Sequence, residues 1–440
     1  MPDESEGNVG FWEVVAIGVG GMVGGGIFAV LGLAVKLAHG GTPLAFLVAG
    51  IVALLTAYSY SKLSVRYPSE GGTVEFINQA FGRGMVTGSL NVLLWLSYVV
   101  MLSLYSFAFG SYASSYFSGS TQVLVKHAGI TGVILLFTVL NFIGSNVVGR
   151  AEQWIVAVKV SILLFFSVAG IWSIEASRIA PSNWVSAVPL LAGGMIIFVA
   201  YEGFELIANT AGDVKNRDRT LPRAYFTSVI FVVTLYVVIA LITVGNLPVA
   251  KIVASKDYAL AVVAKPFLGQ FGFILITVAA LLATSSAVNA TLYGASRVSY
   301  IIARDGELPA VLEKKMWHRH NVEGLFITAG VTLFVANLFP LQSISTMGSA
   351  GFLILFSAVN LANVILSRET SSIRWLSLLG FLVSTGALVA LVWQTLREHP
   401  HNIWVLVVML GISALIEGSY RLVSRRDIIP HHDRREGTRG

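Results

Sequence analysis

The chain of 440 residues contains no cysteine. That excludes disulfides, thiolate metal sites and cysteine nucleophiles. Charge is also scarce. Only 12% of the residues are Asp, Glu, Lys or Arg, about half the share usual in soluble domains. There is no HExxH motif, and all eight histidines fall in loops or at the ends of apolar segments. A metal-dependent or cysteine-dependent membrane enzyme therefore has no ligands or nucleophile to work with, and a histidine proton relay inside a membrane has no members. Residues 1–10 carry Asp3, Glu4 and Glu6 and no base, the opposite of the positive start of a secretory signal. The first apolar segment is accordingly expected to remain in the mature protein.

What is present is apolar sequence, at 55% of residues. It is gathered into stretches of about 20 residues or more, the length that spans a bilayer as a helix. About twelve such segments are expected, near 11–37, 42–66, 85–117, 129–149, 152–174, 186–211, 222–246, 271–303, 323–339, 341–367, 373–395 and 402–423. The least distinct boundary lies at Asn337–Pro340. The longest hydrophilic stretches are 67–84, 212–223, 304–322 and the tail after Arg425. The tail, 424–440, is polar and basic and is expected to be disordered. No linker or second soluble domain separates these segments.

The net charge of +6 does not point to nucleic acid. Basic residues collect in cytoplasmic loops of membrane proteins. With twelve spans and the N-terminus inside, twenty lysines and arginines lie on the inner side and seven on the outer, while Lys159 and Arg297 fall within segments. Both termini are expected in the cytoplasm, and the bilayer of the cell (inner) membrane is the expected surroundings.

Two segments are poor helices. The first contains Gly18, Gly20, Gly21, Gly24, Gly25 and Gly26, and each interior glycine costs about 1 kcal/mol relative to alanine. A small-residue packing face would need two or three of them. Six in nine positions favour a helix broken at mid-membrane, tolerated there only where it lines a cavity. The sixth segment places Gly203 and two carboxylates, Glu202 and Glu205, in an apolar helix. Interrupted helices five segments apart are the mark of a transporter built from two inverted halves, with its site between them. The halves run over 11–175 and 186–367, and a last pair of helices, 373–423, lies outside the repeat.

Charges at bilayer depth are costly and point to function. Lys159 sits in Val158-Lys159-Val160, too deep to reach an interface. A buried ammonium without partners gives up its proton readily, since desolvation disfavours charge. It can serve as a proton carrier or as a static cation held by Glu202 or a backbone carbonyl. Glu202 lies inside the second break and can face the cavity toward an ammonium or be held by hydrogen bonds within the bundle. Glu205, one turn on, is read as packing or gating. Thr284, Ser285 and Ser286 offer hydroxyls that suit a cation, or that bond their own helix backbone. At a broken helix, the free N–H groups of the second half attract a carboxylate. The carbonyls of the opposing half attract an ammonium. Backbone alone can thus hold an α-amino acid.

Gly20-Gly21-Met22-Val23-Gly24-Gly25-Gly26-Ile27-Phe28 resembles the first-helix motif of the amino acid–polyamine–organocation (APC) superfamily. Tyr67-Pro68-Ser69-Glu70-Gly71-Gly72 with Ala80-Phe81-Gly82 resembles its loop after the second helix, Phe198-Val199-Ala200-Tyr201-Glu202-Gly203-Phe204 its sixth helix, and Asp213–Ala224 the loop that follows. Within the superfamily the nearest likeness is to the proton-coupled amino acid transporters, through Ala259–Gly269, Ser286–Gly294 and Ala303–Pro309. The resemblance implies an all-α membrane protein with the LeuT-like five-plus-five inverted repeat and alternating access. It implies that Lys159 takes the place of a sodium ion, beside the Gly20 carbonyl and Thr284. It also implies that the N–H groups of Gly25 and Gly26 hold a substrate carboxylate. The carbonyls of Met22, Phe198, Val199 and Glu202 would then hold its amino group, with Gly24 and Tyr201 completing the site.

Two positions depart from that pattern. Glu202 stands where relatives usually carry an apolar residue, and Val199 where many carry an aromatic gate. Glu202 favours a cationic substrate or a second titrating group. The expectation is a proton-coupled, sodium-independent amino acid symporter that needs no cofactor or metal. The alternatives are an exchanger of amino acids or polyamines and, with its short loops against it, a transporter-like amino acid sensor.

Overall fold

A computed structural model of the chain describes residues 7–82, 84–143, 148–304, 322–398, 400 and 403–423. The 305–321 stretch and the basic tail 424–440, with the disorder expected of it, lie outside these residues. The described chain is helical, with two isolated β-bridges, Val9 with Val214 and His39 with Trp184. The main helices are α1 (Phe11–Met22), α2 (Gly26–Ala38), α3 (Thr42–Arg66), α4 (Thr73–Phe81), α5 (Met85–Ala113), α6 (Gly119–Ile143) and α7 (Val148–Gly170). They continue with α8 (Ala187–Ile196), α9 (Arg217–Asn246), α10 (Lys265–Arg304), α11 (Val322–Leu338), α12 (Leu341–Ile365), α13 (Arg374–Glu398) and α14 (Ile403–Val423).

Eight of these, α3, α5, α6, α7, α9, α10, α12 and α13, are long and apolar enough to cross a membrane. Two bent pairs bring the number to as many as ten: α1 with α2 at 44°, and α8 with the segment Phe198–Asp213 at 50°. Helices α11 and α14 are apolar but shorter. This is a multi-pass, all-helical membrane protein. Helices are one of the two backbone forms that satisfy their own hydrogen bonds in lipid. The chain wraps around α5, whose apolar window is 89% buried, while that of α6 is 22% buried and faces outward. Leu135, Leu136 and Val139 of α6 are among its exposed side chains.

Helix α3 packs along α9, α5 along α10, and α12 against α13 and α5. Tyr60 of α3 ties several of these together. Its ring meets Phe76, Phe204 and Phe356 edge-on, and its hydroxyl pairs with Thr73 Oγ1 at 2.8 Å.

Some element boundaries differ from the sequence expectation for visible reasons. Helix α6 begins ten residues before the expected 129, at Gly119. Its polar first turns are partnered inside the protein: Lys126 Nζ pairs with Asp257 at 2.9 Å and lies over the Phe107 ring, and His127 Nδ1 meets Asn337 Oδ1 at 2.8 Å. The hydrophilic stretch 67–84 contains α4, which buries Val74, Phe76 and Ile77 on one face. At the end of α3, Tyr67 OH donates to Glu369 Oε2 at 2.6 Å. Partial burial and that carboxylate push the phenol up to about 12. Pro340 caps the start of α12, which settles the boundary after Asn337.

Candidate functional site

The first interruption is short. Helix α1 ends at Met22, and α2 starts at Gly26 with Gly25 as an N-cap that no side chain satisfies. Val23 and Gly24 still donate backward, to Val19 O at 2.8 Å and Gly21 O at 3.2 Å. The N-terminus of α2 is thus an open set of donors with a positive dipole end.

The second interruption is longer. After α8 the chain runs as a 3-10 turn over Phe198–Tyr201, extends at Glu202, turns left-handed at Gly203 (φ +119°) and continues as 3-10 helix over Phe204–Asp213.

The two interruptions touch backbone to backbone. A Cβ on Gly203 would lie 2.3 Å from the carbonyl carbon of Gly21, and one on Gly26 would lie 2.8 Å from Ala200 Cα. Only glycine fits at 203, both for its φ and for this contact. The glycines therefore serve both uses that the sequence suggested, a break and a packing face.

Side chains from four other helices hold the freed backbone. Lys159 of α7 is fully buried, and its Nζ donates to the Gly20 carbonyl at 3.0 Å. Tyr236 of α9 donates to the Met22 carbonyl at 2.7 Å. From α12, Ser345 and Ser349 both donate to the Ile196 carbonyl at 2.8 Å, and Ser349 Oγ accepts the Val199 N–H at 3.0 Å. Tyr105 of α5 lies with its ring against Gly25 and donates to Glu202 Oε2 at 3.0 Å.

A cavity of about 540 Å³ runs along α1 from Asn8 and Glu13 to Gly20 and Gly21. Tyr105, Val156, Glu202 and Ala287 form part of its wall. Its two charged lining residues, Glu13 and Glu202, are both acidic.

The sequence-predicted residues fall in different places around this cavity. Gly20 and Glu202 line it. Gly24, Gly25 and Gly26 form the first break; Gly24 packs against Ala287 of α10. Phe198 and Val199 are buried in the second break, and Tyr201 donates to the Phe46 carbonyl at 2.8 Å. Thr284 is buried and donates to its own helix at Ala280 O, 2.7 Å away, while Ser285 is half-buried. Among the described residues no cluster of His, Asp or Glu could hold a metal ion.

Sequence reasoning missed Tyr105, Tyr236, Ser345 and Ser349. For the tyrosines the available signal was a hydroxyl in an otherwise apolar span, which when buried needs a partner. The serines sit four apart on one face of α12, but serine in a helix commonly bonds its own backbone, and that masks the signal.

A family profile described as "Amino acid permease" matches residues 9–414. The Methanocaldococcus jannaschii protein MJ0609 is 37% identical over 417 residues, covering 94% of this chain and 95% of its own length. The inner membrane transport protein YbaT of Escherichia coli is 32% identical over 415 residues, covering 92% and 96%. The branched-chain amino acid permease BcaP of Lactococcus lactis is 27% identical over 395 residues, covering 81% of each chain.

Proposed function

The chain belongs to the amino acid permease family of the APC superfamily, and from that premise we propose that it is a proton-coupled, sodium-independent amino acid symporter. Its twelve spans would form two inverted halves of five helices and a final pair, with both termini in the cytoplasm of a cell whose inner membrane it crosses. The two interruptions, in the first and sixth apolar segments, support that reading.

The observation that carries it is the Lys159 ammonium on the Gly20 carbonyl at 3.0 Å. Freed carbonyls of a broken helix attract a cation, and a lysine at one of them supplies it from within the chain. While protonated, Lys159 holds α7 to the first break. Loss of its proton removes the charge-assisted bond and loosens α1 against α7. If one conformation binds proton and substrate together, the two are coupled by linkage. The substrate carboxylate would meet the uncapped start of α2 at Gly25 and Gly26. Its ammonium would meet the second lone pairs of the Met22 carbonyl and the carbonyls of Phe198 and Val199.

The test is uptake of labelled amino acids into proteoliposomes, with an inward proton gradient and with choline in place of sodium. Gradient-driven accumulation is expected for the unaltered protein. Lys159→Ala is expected to lose it while retaining substrate counterflow. Undiminished gradient dependence in Lys159→Ala, or a sodium requirement in the unaltered protein, overturns the proposal.

A further inference from the structure

One wall of the cavity holds a carboxyl pair that the reading above does not use. Glu202 is 3% exposed and Glu205 1%. Each has one donor of its own: Tyr105 OH for Glu202 Oε2 at 3.0 Å, and the Gly203 N–H for Glu205 Oε2 at 2.7 Å. The two carboxyl groups also lie in hydrogen-bond contact with each other. Among the described residues no protein N–H or O–H reaches Glu205 Oε1, which is fully buried.

A carboxylate only accepts hydrogen bonds, so contact between two of them needs a proton on one. Two such charges in contact cannot both persist away from water. The other titratable groups that face the pair are Tyr98 of α5, Tyr60 of α3 and Tyr225 of α9. They are phenols, which add no positive charge. Lys159 engages α1 at Gly20.

The position of the pair is specific. Glu202 opens onto the cavity. Gly203, between the two glutamates, is the residue in backbone contact with Gly21. The orphaned oxygen therefore sits where the two broken helices meet.

We infer that Glu202 and Glu205 form a proton-binding site in the cavity wall, holding one proton between them and exchanging it with cavity water. The proton comes from hydronium in the cavity, adds to a carboxylate oxygen and leaves by the same route, with no other bond changed. A substrate ammonium arriving at Glu202 competes with that proton. Only the use of the site in transport rests on the symport reading.

The experiment is infrared spectroscopy of the purified full chain near neutral pH, without substrate or gradient, in H2O and D2O. The difference between the unaltered protein and the Glu202→Gln/Glu205→Gln double variant is expected to contain the C=O stretch of a protonated carboxylic acid that shifts in D2O. Tyr105→Phe keeps both carboxyls and is expected to move that band by removing the donor to Glu202. A difference spectrum that is flat in this region, or a band unmoved in Tyr105→Phe, overturns the inference. Because the resting protein is read, failure of gradient-driven uptake leaves this result standing. A flat spectrum, conversely, leaves the role of Lys159 untouched.

Discussion

Between Met22 and Gly26 the chain leaves the helix for three residues and resumes as α2, whereas after Ile196 it does not return to α-helical geometry before Asp213. The first break is made by residues that lack side chains, and outside groups then occupy its carbonyls one at a time, Lys159 at Gly20 and Tyr236 at Met22. The second break is longer and carries its own polar groups, Glu202 and Glu205. It is anchored by a pair of serines on one neighbouring helix. Glycine is needed where two backbones must touch. Fixed hydrogen-bonding side chains are needed where a backbone stays unwound, because each unsatisfied group in a buried site costs about 1–3 kcal/mol.

The contrast is broken most severely at the point where the two interruptions meet. Gly203→Ala places a Cβ against Gly21 in a left-handed conformation. Strain and overpacking each cost about 1–3 kcal/mol. Loss of transport and a clear fall in the thermal midpoint of the detergent-purified protein are expected.

The second break is tested next, by its serines. Ser349→Ala orphans the Val199 N–H and is expected to destabilise by about 1–3 kcal/mol and to raise KM. Ser345→Ala leaves the Ile196 carbonyl bonded to Ser349 and is expected to cost under about 1 kcal/mol. Equal effects of the two would mean that the Val199 N–H does not need its partner.

The smallest effect lies outside both breaks and calibrates them. Tyr67→Phe removes the bond to Glu369, worth about 0.5–1 kcal/mol. The folded phenol is raised to about 12, above an unfolded value of about 10. The stability difference between Tyr67→Phe and the unaltered protein is therefore expected in full below about pH 10, fading as pH rises through about 12. Denaturation midpoints at several pH values check it.

The two breaks were legible in the sequence because glycines and carboxylates are conspicuous in apolar helices. The depth of Lys159 was legible for the same reason. Their partners were not. Tyr105 lies 97 positions from Glu202, Tyr236 lies 214 from Met22, and Ser349 lies 150 from Val199. Nothing local in a span distinguishes a tyrosine that will meet a freed carbonyl from one that packs. Thr284 illustrates the reverse case: its hydroxyl returns to Ala280, a use that only the folded geometry distinguishes from a ligand. The start of α6 was hidden because Lys126 and His127 look like loop residues until Asp257, Phe107 and Asn337 arrive to cover them.

The bridge between Val9 and Val214 has a mechanical meaning. The Val9 N–H bonds Asp213 O and the Lys215 N–H bonds Val9 O, each at 3.0 Å. At the other end of the same two segments, Gly21 abuts Gly203. The half-helix before the first break and the stretch after the second are pinned together top and bottom, like the two rails of a ladder. Neither can swing alone without parting two backbone bonds, so the door to this cavity has one leaf, and it opens in a single movement.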